Sequence, residues 1–329
     1  MHCELLIPGL FAAPSATRLP SVELLLARGR CTSARSQPLE DWLHDAFDLG
    51  NAPLAAGALT LLAGGGDPGT DYCARADPVH LRLLRDRLIL VPGAALRIAR
   101  EEAEALCHAL NAHFGERLQL QPHDAERWTA KVAPALPLDA RAPLTLAGCD
   151  VAVALGAAGP AHGVLNEAQM VLHAHPVNDA REARGEPPVN SLWLWGAGRA
   201  PRVEASRWHS VSAAEPLALG LARAASIRRR PLAPSAEDWL ERAPEEGRHL
   251  VVLDALRVPL ALAEPGEYQD AVAALERDWF APLLGALRAG RVGMVTIHVP
   301  DGAECAAYET IRGDLRRFWR RPKALEHYA

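Results

Sequence analysis

The sequence predicts an α/β protein: a mostly parallel sheet with helices on both of its faces, interrupted by an inserted α+β domain. One observation is an alternation of short apolar runs with amphipathic stretches in the C-terminal part of the chain. The apolar runs are 189–195, 249–254 and 292–299, and the amphipathic stretches are 213–224 and 268–287. Because parallel strands need helical crossovers, this alternation favours a parallel sheet. The other observation is a glycine-rich break at 64–69, after which the pattern changes.

The N-terminal part is predicted to contribute the first strand of this sheet and three helices. The strand is Glu4–Ile7, and the helices are 21–28, 40–47 and 54–62. The last of these is rich in small residues, which suits a helix packed tightly on a sheet. The following Gly64–Gly69 stretch lacks the Lys-Ser/Thr pair of a phosphate-binding P-loop. We therefore interpret it as a hinge or a domain boundary.

The middle of the chain has a different pattern, which predicts an α+β domain. Its elements are a hairpin of 80–84 with 87–91, a helix over 101–114 and a strand over 127–132. The helix carries an apolar stripe with the spacing of a buried face. From these boundaries we predict a discontinuous α/β core formed by residues 1–66 and 186–329, and an inserted α+β domain formed by residues 67–185.

Composition and charge argue against a nucleic-acid-binding protein and against a membrane-spanning one. The 329 residues have a hydrophobic share of 49% and a formal net charge of -5, without the basic excess of a nucleic-acid-binding protein. The longest apolar run, 54–66, is too short and too rich in glycine to span a bilayer. The six cysteines form no Cys-x-x-Cys pair, which is typical of reduced thiols. We expect a cytoplasmic protein with neither a nucleic-acid nor a membrane partner.

Polar and turn-forming residues concentrate in the segment 166–198. Asn166 can begin a helix that Pro176 ends, and Asn178 can cap a second short helix that Gly185 closes in the left-handed conformation. An extended run then leads to glycines at the carboxyl end of a strand. Open α/β sheets place their ligand sites at such ends.

Four side chains of this segment are candidate ligand-binding residues: His175, Asn178, Arg181 and Asn190. The alternative is structural, since Asn and His often satisfy nearby backbone groups. The guanidinium of Arg181 has five donors, so a buried site for it needs an anionic or carbonyl partner. That partner would be either a carboxylate of the chain or an acidic ligand.

Three other features are interpreted structurally. His173 and His175 form a His-x-His pair, but side chains two positions apart on a helix diverge, so no metal site is predicted. Asp77, which precedes a proline, is predicted to be a turn residue. The end of the chain, 311–321, is predicted to be a docked amphipathic helix with a solvated arginine face, the alternative being an acidic or nucleic-acid partner.

The stretch HPVNDAREARGEPPVNSLWLWGAG, residues 175–198, resembles a motif of the archaeal-type cofactor-independent phosphoglycerate mutases. This resemblance implies an alkaline phosphatase-like fold, a three-layer αβα core with an inserted domain, and it places the four candidate residues at motif positions. A bacterial family of RpfE-type regulatory proteins is more similar still. That likeness rests on ADPVHL at 76–81, LNAHF at 110–114, NEAQM at 166–170 and NSLWLWG at 190–196.

The sequence departs from the mutase pattern where those enzymes bind metal. Their first strand ends in Asp-Gly and the Asp binds a metal, whereas Pro8 stands at that place here. Their Asp-His pair after a late core strand is not kept in order, because this chain has His298 followed by Asp301. Trp195 stands where the family's Arg-Gly-Ala-Gly sequence has its arginine, so the resemblance implies that a bidentate contact to phosphate is lost. Two-metal phosphoryl transfer needs several carboxylates and imidazoles, and the matching positions do not supply them.

We therefore expect a mutase-like protein that has lost metal-dependent phosphoryl transfer, holds no cofactor and acts as a regulatory or ligand-sensing protein. Its partner would be an acidic or phosphorylated small metabolite, or another protein. Two alternatives stay open. One is an active cofactor-independent phosphoglycerate mutase or metal-dependent phosphatase with rearranged ligands, which would need Mn, Zn or Mg. The other is a structural partner protein.

Overall fold

The structure is a computed structural model that describes residues 1–14, 17–32, 35–133, 138, 141–152, 160–204, 206–242, 246–301 and 307–328. The chain divides into two compact units. Residues 1–50 and 203–329 form the core unit, and residues 51–202 form the inserted unit.

The strands are β1 (His2–Leu6), β2 (Arg30–Thr32), β3 (Cys73–Leu84), β4 (Arg87–Pro92), β5 (Gln119–Pro122), β6 (Trp128–Lys131), β7 (Ser191–Gly198), β8 (Ser210–Ala213), β9 (Arg228–Pro231), β10 (Arg248–Val252), β11 (Met294–His298) and β12 (Ala307–Ile311). The helices are α1 (Pro20–Arg28), α2 (Leu39–Ala46), α3 (Ala56–Ala63), α4 (Arg100–Phe114), α5 (Pro160–His173), α6 (Pro176–Ala183), α7 (Pro216–Ala224), α8 (Ala236–Arg242), α9 (Arg257–Ala261), α10 (Pro265–Leu275) and α11 (Ala281–Ala289). A π-helical turn, Glu276–Phe280, joins α10 to α11.

The core unit is built on a seven-stranded sheet in the order β2-β12-β11-β1-β10-β8-β9. The strands β11, β1, β10, β8 and β9 are parallel to one another. The strand β12 is antiparallel to β11, and β2 is antiparallel to β12. This is the mostly parallel sheet that the alternation of apolar and amphipathic stretches predicts, and the fold class is confirmed.

The central strand β1 shows how this sheet is packed. Successive side chains of a strand face opposite sides of the sheet. Cys3, Leu5 and Ile7 are fully buried in one hydrophobic cluster, which includes apolar residues of α1, α10 and α11. The side chains between them, including Glu4, face the other side. The sheet is therefore buried on one face by an apolar cluster and carries a charged residue at the centre of the other face.

The inserted unit contains a five-stranded antiparallel sheet whose longest strand, β3, pairs with β4, β6 and β7. The helix α3 packs closely on this sheet. A Cβ on Gly57 would lie 2.3 Å from the carbonyl carbon of Ala74, and a Cβ on Gly196 would lie 2.4 Å from the Cβ of Ala56. Such approaches admit only glycine, so the small residues of 54–62 have the role that the sequence predicts.

The strand predicted over 189–195 forms, but its assignment to the parallel sheet is wrong. It lies in β7, which pairs antiparallel with β3 and places Trp193 opposite Asp77. Its residues Ser191–Trp195 are all buried. Any strand that is covered on both faces has an apolar run of this kind, so the run does not indicate which sheet the strand joins. With α3 and β7 packed on β3, the units divide at 50/51 and 202/203, whereas the sequence places these boundaries at 66/67 and 185/186.

Several local predictions are confirmed. The hairpin forms between β3 and β4, with Leu84 opposite Arg87 and Arg85-Asp86 at the turn. The helix predicted over 101–114 is α4. The stretch 268–287 is helical from α10 through the π turn to α11. In each case the local pattern and the tertiary packing favour the same structure.

Two helix starts differ from the prediction. The helix α5 begins at Pro160, so Asn166 lies inside it and is not an N-cap. The N-cap of α6 is His175, whose Nδ1 accepts a hydrogen bond from the backbone N–H of Val177 at 3.2 Å, and not Asn178. Pro176 occupies the first position of α6, where the fixed φ of proline suits a helix start.

The predicted helix over 311–321 is wrong. Ile311 instead ends the strand β12, paired with Met294 of β11, and a 3-10 helix follows at Arg312–Arg316. Strand pairing to a distant residue decides the conformation here, because local helical periodicity is a weaker preference.

The cysteines depart in part from the expected reduced thiols. Cys3, Cys73, Cys107 and Cys149 are free, whereas Cys31 is disulfide-bonded. Spacing along the chain does not report proximity in space, so the sequence could not predict this bond. Within the described ranges, every helix is too short or too polar to cross a bilayer.

Candidate functional site

Open α/β sheets bind ligands outside the carboxyl ends of their strands. In the core unit, β1 and β11 are neighbours, and Gly9 follows the first while Asp301 follows the second. The backbone N–H of Gly9 lies 3.0 and 2.8 Å from the two carboxylate oxygens of Asp301. Gly9 has a φ of +86°, which favours glycine. The turn after β1 is therefore held by the carboxylate at the end of the neighbouring strand.

The same turn is closed from the other side by α10 and α9. The Tyr268 hydroxyl lies 3.1 Å from the carbonyl oxygen of Gly9 and 3.3 Å from that of Leu10. Burial raises the pKa of Tyr268, so its hydroxyl remains a donor. A Cβ on Gly9 would lie 2.4 Å from the Leu260 side chain. The chain's own groups thus fill the space beside this turn.

A second group at this edge consists of three carboxyl side chains and one guanidinium. Glu215 follows β8, Asp254 follows β10, Arg257 begins α9 and Glu40 lies in α2. The carboxyl of Glu215 is buried and accepts a hydrogen bond from the backbone N–H of Ala218 at 3.0 Å, which caps α7. We call Glu40, Glu215, Asp254 and Arg257 the edge cluster.

The edge cluster contains a carboxyl group that titrates near neutral pH. Burial, reinforced by the charge of Asp254, raises the pKa of Glu215 to about 7. Arg257 donates to Oε1 of Glu40 at 2.6 Å. The other oxygen of Glu40, Oε2, is buried and accepts no hydrogen bond from the described residues. The cluster can therefore hold or release a proton at Glu215 and presents a cation beside an incompletely satisfied carboxylate.

Glu215→Gln is expected to remove a pH-dependent loss of stability. The folded pKa of about 7 lies above the ordinary value of 4.5, so the contribution of Glu215 to stability is fully present below pH 4.5 and is lost as the pH rises through 7. This difference between the folded and the ordinary pKa corresponds to about 3 kcal/mol in the free energy of unfolding. In urea unfolding at pH 8 the Gln variant should be more stable than the wild type by up to that amount, and at pH 4.5 the two should agree closely.

The control for this measurement is Glu237→Gln. Glu237 is an exposed residue in the first turn of α8, so its replacement should give the same small difference at both pH values. A wild-type profile parallel to that of the Glu215 variant across this range would show that the Glu215 carboxyl is not buried as described.

A third polar group surrounds Glu4 in the middle of β1. Its carboxylate is fully buried, lies 3.1 Å from Nε2 of His298 and accepts a hydrogen bond from Nε of Arg248 at 2.7 Å. Burial alone would raise the pKa of Glu4, but the interactions with His298 and Arg248 outweigh it and hold that pKa at about 2. The His298 ring also packs on Trp42, with 5.1 Å between ring centroids. His298, the histidine of the late core strand β11, is therefore paired with Glu4.

The four sequence-predicted ligand residues lie in the inserted unit, around the connection from α6 to β7. Asn178 is 3% exposed. Its Nδ2 donates to the carbonyl oxygens of Leu172 and Val189, each at 2.8 Å, and its Oδ1 accepts from the N–H of Val189 at 2.8 Å. The amide of Asn178 thus joins α5 to the start of the segment that enters β7.

Arg181 has no exposed side-chain surface. It donates to Glu102 of α4 at 2.6 Å, to the carbonyl oxygen of Pro187 at 3.0 Å, and to the carbonyl oxygen of Leu96. The partner carboxylate therefore belongs to the chain itself, which is the structural one of the two alternatives for Arg181.

Asn190 and His175 also bond to backbone groups. The Asn190 side chain accepts from the N–H of Leu81 at 2.8 Å and donates to its carbonyl oxygen at 3.0 Å, as a neighbouring strand would. His175 caps α6, and burial lowers its pKa. Asn178 and Arg181 both bond to the segment 187–189, whereas Asn190 bonds to the backbone of Leu81 in β3. A ligand-binding role for the four residues stays a prediction.

Sequence reasoning missed Glu4 and the edge cluster. A signal existed for Glu215 and Asp254, because each follows a buried strand of a parallel sheet at the edge where ligand sites lie. The interpretation of Asp77 as a turn residue is wrong. Asp77 is buried within β3, 2.7 Å from Nη2 of Arg75, and accepts a hydrogen bond from Nε1 of Trp195 at 2.7 Å.

Metal-ligating side chains lie scattered through the part of the chain that the structure describes. There, no group of three or more His, Cys, Asp or Glu residues is arranged to hold a metal ion.

The chain is similar in sequence to cofactor-independent phosphoglycerate mutases over part of its length. It is 27% identical over 214 residues to a probable 2,3-bisphosphoglycerate-independent phosphoglycerate mutase of Geobacter sulfurreducens, which covers 57% of this chain and 51% of that protein. It is 28% identical over 212 residues to the 2,3-bisphosphoglycerate-independent phosphoglycerate mutase of Methanosarcina mazei, covering 58% and 51%. The chain thus spans about half the length of the curated relatives it matches. No family model matches it.

Among solved structures, the chain is similar to the PH0037 protein of Pyrococcus horikoshii. The superposition has a TM-score of 0.58 and covers 94% of this chain and 86% of that protein, at 15% sequence identity. Identity this low shows a shared fold alone. The fold and the partial sequence similarity agree with the likeness carried by residues 175–198.

Proposed function

We propose that this chain is a phosphoglycerate mutase-like protein that has lost the metal-dependent phosphoryl-transfer site and acts as a regulatory or ligand-sensing protein. Its ligand would be an acidic or phosphorylated small metabolite, with a protein as the other possible partner. The similarity to the mutases of Geobacter sulfurreducens and Methanosarcina mazei supports the mutase-like part of the proposal.

The proposed loss of the metal site rests on the residues that lie at the carboxyl ends of β1 and β11. Pro8 has no side-chain atom that could bind a metal. The carboxylate of Asp301 is engaged by the N–H of Gly9 through both oxygens, at 3.0 and 2.8 Å. The imidazole of His298 is engaged by Glu4 at 3.1 Å. These residues do not fit a dinuclear centre, which needs several free carboxylates and imidazoles around its two ions.

The ligand-sensing part rests on the edge cluster. The guanidinium of Arg257 is bound to Glu40 at 2.6 Å, and Glu215 beside it has a pKa of about 7. A metabolite with a carboxylate or phosphate group would compete with Glu40 for Arg257, because guanidinium groups pair with both kinds of anion. Protonation of Glu215 would lower the negative charge that opposes such a ligand.

The alternative is an active mutase or phosphatase with rearranged ligands. The names of the curated relatives favour it, since each describes a mutase. The two functions differ in measurable ways: the active enzyme needs bound metal and turnover, whereas the sensor needs only ligand binding.

We expect protein purified with manganese present to hold well below one equivalent of metal and to show no conversion of 3-phosphoglycerate to 2-phosphoglycerate. The Methanosarcina mazei mutase, prepared in parallel, is the positive control for both measurements. About two equivalents of bound metal together with turnover would overturn the proposed loss. A thermal-shift series with 3-phosphoglycerate tests the sensor: stabilisation that Arg257→Gln abolishes supports it, and no stabilisation of the wild type favours the structural partner instead.

A further inference from the structure

The C-terminal segment carries two exposed aromatic side chains inside a run of arginines. Residues 316–321 read Arg-Arg-Phe-Trp-Arg-Arg. Phe318 is 78% exposed and Trp319 is 66% exposed, and their rings meet edge to face with 5.4 Å between centroids. Large aromatic side chains exposed together commonly mark an interaction surface.

The backbone of this segment is fixed to the end of α1. Arg28 donates to the carbonyl oxygen of Leu315, Arg317 donates to that of Arg28 at 3.2 Å, and Arg320 donates to that of Gly29 at 2.8 Å. Arginines that bond the last carbonyl groups of a helix stabilise its C-terminus. Because the segment is anchored in this way, the exposure of its two aromatic rings is a property of a folded turn.

The segment also carries positive charge that no acidic residue of the described ranges neutralises. Arg317 pairs with Asp314 at 2.8 Å. Arg312, Arg316 and Arg321 are exposed, as is Lys323, and none forms an ion pair with any residue in the described ranges. We call these four residues, together with Phe318 and Trp319, the basic aromatic patch.

We propose that the basic aromatic patch binds the surface of an anionic phospholipid bilayer. Tryptophan and phenylalanine side chains partition into the interface between headgroups and acyl chains. Guanidinium groups pair with the phosphates of the headgroups, and each cation near an anionic surface adds to the attraction. The patch combines both kinds of side chain on one turn, and it would place the protein on a membrane without crossing it.

The geometry of the two rings favours a bilayer over a nucleic acid. Single-stranded nucleic acids stack successive bases on open aromatic faces. Here the ring planes of Phe318 and Trp319 stand at 82° to each other, so the edge of one ring covers part of the other. The expectation that the protein has no membrane partner follows from the lack of an apolar run long enough to span a bilayer, and this criterion does not describe attachment to the surface of a membrane.

The test is sedimentation of the full chain with lipid vesicles. The vesicles contain phosphatidylcholine and about one third phosphatidylglycerol, an anionic lipid that gives them a strongly negative surface. We expect binding that weakens as salt rises and is largely absent on pure phosphatidylcholine. Each arginine near the surface contributes about fivefold to partitioning, so Arg316→Gln with Arg321→Gln should weaken binding by about 25-fold. Phe318→Ala with Trp319→Ala should weaken it by about tenfold or more.

Matched controls use exposed residues elsewhere in the chain. Arg82→Gln with Arg228→Gln removes two exposed arginines, and Leu83→Ala with Met170→Ala removes two apolar side chains that are 73% and 75% exposed. Both should bind vesicles as the wild type does, and thermal melting confirms that every variant is folded. Absence of binding, equal binding to both kinds of vesicle, or equal losses in patch and control variants would each overturn the proposal. So would binding of a single-stranded oligonucleotide that depends on the patch when vesicle binding does not.

Discussion

Arg181→Ala is expected to lower the free energy of unfolding by about 3–5 kcal/mol, the range for breaking a buried ion pair by removing one partner. The guanidinium of Arg181 is fully buried and pairs with Glu102 at 2.6 Å. Its removal also leaves the carbonyl oxygens of Pro187 and Leu96 without their donor. Equilibrium urea unfolding measures the effect.

The matched control is Arg184→Ala. Arg184 pairs with the same carboxylate, Glu102, at 2.8 Å, but its side chain is 49% exposed. An exposed pair of this kind contributes about 1 kcal/mol or less. Equal effects of the two variants would contradict the buried role of Arg181. An Arg181 variant with unchanged stability that loses a 3-phosphoglycerate-dependent thermal shift would restore the ligand alternative.

Asp77→Ala is expected to be destabilising by a similar amount, about 3–5 kcal/mol. Arg75 and Asp77 each have side chains that are 4% exposed, and they pair at 2.7 Å. Without the carboxylate, the Arg75 charge is left buried without its partner, and Nε1 of Trp195 loses the acceptor that now lies 2.7 Å away. The control is Asp71→Ala, since Asp71 pairs with Lys131 at the surface, where its side chain is 44% exposed.

A double variant separates the charge from the packing at this site. Arg75→Met combined with Asp77→Leu replaces the buried pair by apolar side chains, an exchange that is often neutral or stabilising. It should therefore recover part of the stability that Asp77→Ala loses. If the double variant is less stable than the single one, the unpaired charge of Arg75 is not the cause of the loss.

Both predictions bear on the motif that gives the chain its likeness to the mutases. Arg181 and Asn178 satisfy backbone groups at the connection from α6 to β7, and Asp77 bonds to Trp195 within β7. In this chain, these residues of the shared motif contribute to the folding of the inserted unit.

The sequence alone predicted where most strands and helices lie and that the core sheet is mostly parallel. It did so because the burial of a face leaves a local periodic signal, as in α4 and in the strand β11. It also determined that Pro8 cannot supply a metal ligand, since that follows from the chemistry of one side chain.

The sheet to which β7 belongs and the partners of the charged side chains follow from the tertiary fold. An apolar run such as Leu192–Trp195 is equally suited to any strand covered on both faces, so its pairing with β3 leaves no local signal. The bonds of Gly9 to Asp301 and of Glu4 to His298 join the two ends of the chain. Such contacts depend on how the whole sheet assembles, and for this reason the bond of Arg257 to Glu40 and the pKa of Glu215 could not be predicted from the sequence.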